Sequence, residues 1–540
     1  MKDISSTGSF IDFTLENFIY VDKTEYIPKL VKLKRVFISR PRRFGKSLTL
    51  DTIATLFETG VEPYFKGTWI YDKWTEPTYP VLRLNFLNFD KNSLEKFNNK
   101  LNSKITEFAE LNHVTSYKEK EEAEDSIDHL LEQLRLENRQ IVILIDEYDC
   151  QMTANINNEA LYKQFQEKIK SFYANLKDKL AIKFLGITGV TRLKDVEIFS
   201  IGSDINDITN DSAYSQMIGF TRDEIKKYYI DYLKLAASYE NNCTVDNVTE
   251  AQIESLLDRL AKNYDGYCFD EFYKKKVFST WSVNKFFQSV VSNKFVYFGE
   301  YWYDNGGLPS ILVNYLKTHE LNIFEYLDKD KFLKVSSDDF KNPTALTTIN
   351  QNVLMCQTGY LTLRSDLNKT STVALGIPNG EIYKALNRLL ANNIFKGNTD
   401  ITDDYGRSLL EVGTVDDIIN LFNSALNSVS YDNYPIVSES SVQNMLKLYL
   451  LGAHQKVLSE LHEAKGRADL VVNTDNRRIV FEFKYAKNET EAKSKLLDAV
   501  EQIKTRDYGN IVPNKTELLR IAAVFNADPK VRAFTEYQEV

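Results

Sequence analysis

Residues 35–57 hold the pattern that most restricts this chain: a short apolar strand, a basic loop and an amphipathic helix, joined through Arg40-Pro41-Arg42-Arg43-Phe44-Gly45-Lys46-Ser47. Such a junction aims backbone N–H groups and the positive end of a helix at one point, which suits phosphate. Val36-Phe37-Ile38 is expected to deliver the loop and Gly45 to allow close backbone approach. Lys46 would place a charge on β- and γ-phosphates, and Ser47 would offer a hydroxyl to Mg²⁺. The pattern departs from G-x-x-x-x-G-K-[ST] at one place, because Arg40 stands where the first glycine is expected.

A second motif, Ile141-Val142-Ile143-Leu144-Ile145-Asp146-Glu147-Tyr148-Asp149, ends an apolar run in carboxylates. A β-branched run without alternation fits a parallel strand buried on both faces, and ligands in such sheets sit at the carboxyl ends of the strands. Asp146 is placed to hold a Mg²⁺ shell and Glu147 to polarise a water attacking the γ-phosphate. The plainer alternative is a core strand with acidic residues capping the next turn.

With 540 residues the chain is long enough for more than one core. No apolar stretch is long enough for a membrane span, and no secretory start is present. Its four cysteines, Cys150, Cys243, Cys268 and Cys356, are far apart and the five histidines are scattered, so neither a disulfide framework nor a His/Cys metal site is expected, and a reducing cytoplasm is. The net charge of −9 excludes a protein that coats nucleic acid with its whole surface, but not one with a local basic groove. The runs Lys274-Lys275-Lys276 and 118–125 are read as solvated faces.

Strand candidates at 35–39, 81–86, 141–145 and 182–190, separated by helical stretches, predict an α/β parallel sheet with helices on both faces. The helix after the loop shows Leu50, Ile53, Leu56 and Phe57 at spacings that make one stripe. The strand at 182–190 runs into Thr191-Arg192. Thr188 or Thr191 is a candidate to hydrogen-bond phosphate or the attacking water, and Arg192 to stabilise developing charge; a plain turn explains the same residues equally well.

Together, Tyr20-Val21-Asp22-Lys23-Thr24, Ser39-Arg40-Pro41-Arg42-Arg43-Phe44-Gly45-Lys46-Ser47-Leu48 and Leu144-Ile145-Asp146-Glu147-Tyr148-Asp149 resemble the AAA-ATPase-like family, over roughly residues 10–215. In that family an arginine-rich loop replaces the first glycine, so Arg40 matches the family pattern. The ATP site is expected to be built from Arg42, Arg43, Phe44, Gly45, Lys46, Ser47, Leu48, Asp146 and Thr188, with Ser47 and Asp146 on the metal and Glu147 catalytic. The resemblance extends, more distantly, to signal-transducing ATPases that control an attached effector.

Residues 216–430 are mostly helical in period. Thr221 and Glu224 form a capping-box pattern, and Tyr264-Asp265-Gly266-Tyr267 reads as a turn. Trp281 and Tyr301-Trp302-Tyr303 are read as packing, with base stacking as the sharper alternative. The family pattern implies a helical lid and a winged-helix-like region here.

From 431 onward the pattern predicts helix, three strands, helix and strand, an αβββαβ order. Alternation in Ile479-Val480-Phe481-Glu482-Phe483-Lys484 puts the apolar residues on one face and Glu482 with Lys484 on the other. A turn at Asn473-Thr474-Asp475-Asn476 would bring Asp469 across the hairpin to Glu482. Two carboxylates and the Phe483 carbonyl offer the hard oxygens that Mg²⁺ or Mn²⁺ takes, with Lys484 placed to orient a water. Read alone, Glu482 and Lys484 are an ordinary ion pair on a strand face.

Gly466-Arg467-Ala468-Asp469, Glu482-Phe483-Lys484 and Glu501-Gln502 resemble the PD-(D/E)xK nuclease superfamily, with Ala468 in the place of its proline. The resemblance adds Gln502 to the catalytic set and Glu460 as a further member. The expectation is an ATP-binding P-loop domain at 1–215, a helical lid or linker at 216–430 and a metal-dependent nuclease at 431–540 that cleaves DNA or RNA under ATP control. Its cofactors are ATP and Mg²⁺, with Mn²⁺ an alternative at the nuclease site. Its partners are nucleotide and nucleic acid, DNA ahead of RNA, with a homo-oligomer as a further option and no membrane. The alternative is a signalling or scaffold ATPase whose nuclease fold only binds.

Overall fold

The computed structural model describes residues 1–193, 204–302, 310–316, 319, 323–343, 345–395, 405–453, 456–463, 466–506 and 517–540. Two compact units divide the chain, one of residues 1–319 and 332–382 and the other of residues 320–331 and 383–540, so the stretch 216–430 contributes to both.

The first unit is built on five parallel strands: β1 (Arg35–Ser39), β2 (Val81–Asn85), β3 (Ile141–Asp146), β4 (Ile182–Gly189) and β5 (Asn206–Asp207). Their order is β2-β3-β4-β1-β5. Every residue of β1 and β3 is buried, which explains why their sequences lack alternation: layers cover both faces. The edge strand β2 alternates instead, burying Leu82 and Leu84 and turning Arg83 to Asp51 and Glu58 on helix Lys46–Thr59. That helix buries Leu50, Ile53, Leu56 and Phe57, the predicted stripe, and also Ala54 and Thr55. At two residues, β5 is too short to leave a periodic signal.

The capping box forms as patterned. Thr221 accepts from Glu224 N and Glu224 accepts from Thr221 N at the start of helix Arg222–Tyr228. Helices Ile230–Asn241, Glu250–Tyr264 and Thr280–Asn293 then close a core of Leu233, Leu256, Leu260, Phe286 and Phe287 that also takes in Ile19 and Val21. Next, β6 (Leu333–Ser336), helices Ser337–Lys341 and Gln351–Gln357, β7 (Thr362–Leu363) and β8 (Thr372–Gly376) make a three-stranded antiparallel sheet with two helices before its hairpin, a winged-helix-like order.

In the second unit, β9 (Lys456–Glu463), β10 (Gly466–Asn473), β11 (Arg477–Ala486), β12 (Glu517–Asn526) and β13 (Ala533–Glu539) form a sheet in the order β13-β12-β11-β10-β9. β11 and β12 are parallel and joined through helix Glu489–Arg506, and the other pairs are antiparallel. Preceded by helix Glu439–Gly452, this is the αβββαβ order with β13 added at the edge.

Candidate nucleotide and metal sites

β1 ends at Ser39, and its neighbour β4 ends at Gly189, registered so that Ile38 faces Thr188. Because β4 lies between β1 and β3, Thr188 stands between the phosphate loop and the acidic end of β3. Gly45 caps helix Lys46–Thr59 at φ 101°, the left-handed region that favours glycine. Lys46 is buried and folds back over the loop, donating to the carbonyls of Arg40 (3.0 Å) and Pro41 (3.3 Å) and lying 3.6 Å from Glu147. Ser47 is exposed and donates to Asp146 Oδ2 at 2.6 Å, while Thr188 Oγ1 and the Glu147 N–H serve Oδ1. Burial raises the Glu147 pKa, opposed chiefly by Lys46 and, more weakly, by Arg42.

The three arginines do different things. Arg40 is turned inward, donating to the carbonyls of Ser39 (2.9 Å) and Thr209 (2.6 Å) with its guanidinium 4.1 Å over Phe269. Burial lowers its pKa to about 9, and its Nε and NH2 have no hydrogen-bond partner among the described residues. Arg43 donates to the carbonyls of Tyr301 (2.8 Å) and Trp302 (3.0 Å) and lies over Trp281, so it grips protein at the edge of the site. Arg42 forms no ion pair or hydrogen bond among the described residues, and its charge weakly lowers the Glu147 pKa. Arg192 departs from expectation: it pairs with Asp207 and donates to the Lys341 carbonyl, which directs its charge away from the strand end. Thr191 is likewise committed, to Asp149.

Beside the loop is a cavity of about 170 Å³, bounded by Tyr20, Tyr26, Leu48, Phe220, Tyr229 and Trp281 among others, with Lys23 and Asn284 as polar members. Gly45 and Phe44 also border it. Neither motif foretold it, because its walls come from segments near residues 5–30, 217–229 and 280–284 that only folding brings together. Trp302 is a buried packing residue, as expected, whereas half-buried Trp281 walls the cavity; Tyr303 lies outside the described residues.

At the other candidate site, β10 pairs with β11 so that Leu470 faces Phe481, which carries Asp469 alongside Glu482. Asp469 Oδ2 accepts from the Phe483 N–H at 2.9 Å, and burial raises its pKa. Glu482 is 0% exposed; Oε1 takes the Lys484 ammonium at 2.7 Å, whereas Oε2 has no hydrogen-bond partner among the described residues. Burial first and the Asp469 charge second push its pKa up to about 7. Burial opposes the Lys484 ammonium, but Glu482, Glu439 and Asp469 outweigh it and raise its pKa.

Glu482 is therefore buried rather than part of an ordinary ion pair on an exposed strand face, and helix Glu489–Arg506 packs on the sheet there through Ala499, Val500 and Ile503. Helix Glu439–Gly452 supplies two members that sequence reasoning missed: Glu439, 3.4 Å from Lys484, and Gln443, whose side chain helps to lower the Asp469 pKa. Their i,i+4 spacing, which puts both on one helix face, was the available signal. Gln502 is half-buried on helix Glu489–Arg506, which packs on β11 and β12. The register of β9 with β10 puts Glu460 opposite Asp469, but its side chain lies outside the described residues.

Among the described residues no three His, Cys, Asp or Glu side chains form a metal-ligating group. The donors nonetheless suit a hard divalent cation, because a buried Glu482 oxygen without a hydrogen-bond partner among the described residues sits beside a second carboxylate, Asp469. A divalent ion held there would lower the pKa of a bound water and neutralise charge on a phosphodiester.

Residues 5–199 match the family model described as Predicted AAA-ATPase, and residues 437–535 match that of the PD-(D/E)XK nuclease superfamily. A protein of Azotobacter chroococcum mcd 1, described as an uncharacterized protein in the vnfD 5′ region, is 26% identical over 534 residues, 95% of this chain and 94% of its own. Among solved structures, Cdc6p from Pyrobaculum aerophilum superposes with a TM-score of 0.25 at 11% identity, covering 68% of this chain and 93% of that one. The ORC2 protein of Aeropyrum pernix gives 0.25 and 11%, covering 67% and 91%. Superpositions of that quality carry no argument about this chain. No helix among the described residues is long and apolar enough to cross a membrane.

Proposed function

From a chain that carries an AAA-ATPase-like domain and a PD-(D/E)XK nuclease superfamily domain, we propose an ATP-dependent, metal-dependent nuclease in which ATP binding or turnover licenses cleavage of DNA or RNA, DNA ahead of RNA. The observation that carries the nuclease half is the buried, partnerless Glu482 Oε2 beside Asp469 and Lys484. Asp469, Glu482 and the Phe483 carbonyl would hold Mg²⁺ or Mn²⁺. Lys484 would orient the attacking water and Gln502 would assist, while Glu439 steadies the Lys484 ammonium. In the other half, Lys46 and Arg42 would take the phosphates, Ser47 and Asp146 the Mg²⁺, and the neighbouring cavity the base. Glu147, held near Lys46 with a raised pKa, would take a proton from the attacking water, and Thr188 keeps Asp146 in place. Residues 1–215 would serve the nucleotide, 431–540 the phosphodiester, and 216–430 would transmit between them in a cytoplasmic protein.

The test is cleavage of DNA and RNA substrates by the full chain with Mg²⁺ or Mn²⁺, with and without ATP. Cleavage lost in Asp469→Ala supports the nuclease half; wild-type inactivity on every substrate removes it. ATP dependence that survives Lys46→Ala removes the gating.

One observation favours the second reading, an ATPase whose nuclease fold binds without cutting: Lys484 already pairs with both Glu482 and Glu439, offsetting part of the negative charge that a cation would otherwise meet. In that case Asp469→Ala and Lys484→Ala keep biological activity while Lys46→Ala loses it.

A further inference from the structure

Arg43 sits in the phosphate loop at φ 68°, a backbone region that a non-glycine residue does not hold without help. The help comes from outside the loop. Its carbonyl accepts from Thr280 Oγ1 (2.9 Å) and Trp281 N (3.3 Å), and its guanidinium donates to the carbonyls of Tyr301 and Trp302 and covers the Trp281 ring. Next to it, Phe44 is buried edge-on against Tyr267 and Trp302. Gly359 approaches so closely that a Cβ there would stand 2.9 Å from both Pro41 and Trp302. Thr280 and Trp281 also line the cavity beside the loop, so one strap both grips the loop and walls that cavity.

Behind the strap lies Glu381, 2% exposed, in the first turn of helix Gly380–Ile394. Oε1 accepts from Trp302 N at 2.8 Å and Oε2 from Ser282 Oγ at 2.7 Å, tying together the two segments that hold Arg43.

We infer that Glu381 is a positioning residue for nucleotide binding: its carboxyl anchors the Ser282 and Trp302 segments that hold the phosphate loop through Arg43, and its ionisation loosens them. The inference rests on the nucleotide-binding reading of the loop. The groups facing Glu381 are Glu300, Tyr264, Tyr267 and Tyr301, none of them a cation. Burial raises the Glu381 pKa to about 8, outweighing the hydrogen bonds from Ser282 and Trp302, which lower it, with Glu300 adding a smaller upward push. The buried, strapped state therefore favours the protonated carboxyl, and linkage weakens it as pH rises through about 8, with the loss complete above that value. Glutamine keeps an oxygen for the Trp302 N–H and a nitrogen that can donate to Ser282 Oγ, without a proton to lose.

The experiment is binding of a fluorescent ATP analogue with Mg²⁺ to the full chain, by anisotropy, across pH 7 to 9.5. The wild-type Kd is expected to rise by roughly tenfold over that range, as a group titrating near its middle requires. Glu381→Gln should bind like wild type at pH 7 and stay flat to within about twofold, and Glu381→Ala should bind at least about tenfold more weakly throughout. If Glu381→Ala does not fold, the Glu381→Gln profile decides alone. Parallel profiles for wild type and Glu381→Gln overturn the inference while the nucleotide reading stands. Absence of binding by wild type at every pH overturns the nucleotide reading and the inference with it.

Discussion

Glu482 faces opposite demands with and without a cation. Its folded pKa of about 7 lies above the ordinary 4.5, so the stability tied to its protonated form is complete below about pH 4.5 and is lost as pH rises through 7. By linkage that loss is on the order of 3 kcal/mol. Glu482→Gln should accordingly raise the thermal midpoint of the metal-free chain at pH 8 and leave it unchanged at pH 4.5, while abolishing Mn²⁺ binding measured by calorimetry. Equal midpoints at pH 8 would show that the partnerless oxygen carries no such penalty. Gly45 presents a purely conformational case. A Cβ there meets nothing within 4 Å, but φ is 101°. Gly45→Ala should cost about 1–2 kcal/mol in urea unfolding and weaken ATP binding, with no steric component to relieve.

At the scale of elements, period and propensity located most of what matters. The candidate strands at 35–39, 81–86, 141–145 and 182–190 lie within one residue of β1 to β4 at each end, because long apolar runs bounded by polar residues leave little choice. Strand β5 and the added β13 were not legible: two residues carry no period, and β13 exposes much of its length. The Thr221-Glu224 box was legible because capping is local, satisfying helix-end N–H groups within four residues. Thr221→Ala should cost about 1 kcal/mol, read as a lower urea midpoint at unchanged slope. What element patterns did not convey is which side chains a strand end commits. Arg192 looked like a free charge at the end of β4, yet Asp207 takes it.

For the whole molecule, two compact units on one chain mean two ligand-linked stabilities. Mg²⁺ with ATP at about 100 times Kd should stabilise the unit holding the phosphate loop by about 2.7 kcal/mol, seen as a raised calorimetric transition, and Lys46→Ala should erase that shift. A shift that persists in Lys46→Ala would mean that nucleotide binds elsewhere.

The sequence by itself determined the chemistry on offer: a loop with Gly45, Lys46 and Ser47 after a buried strand, carboxylates Asp146 and Glu147 ending another, and Asp469, Glu482 and Lys484 on a hairpin. Those follow from residue type and spacing, which act over a few residues. Tertiary packing settled how the arginines divide, with Arg40 buried, Arg43 strapped to Tyr301 and Trp302, and Arg42 without an ion pair or hydrogen bond among the described residues. It alone placed Glu439 and Gln443 beside the hairpin and Glu381 behind the loop. The physical reason is the same in each case: desolvation and charge pairing depend on which distant segments close over a group, and local periodicity does not encode that.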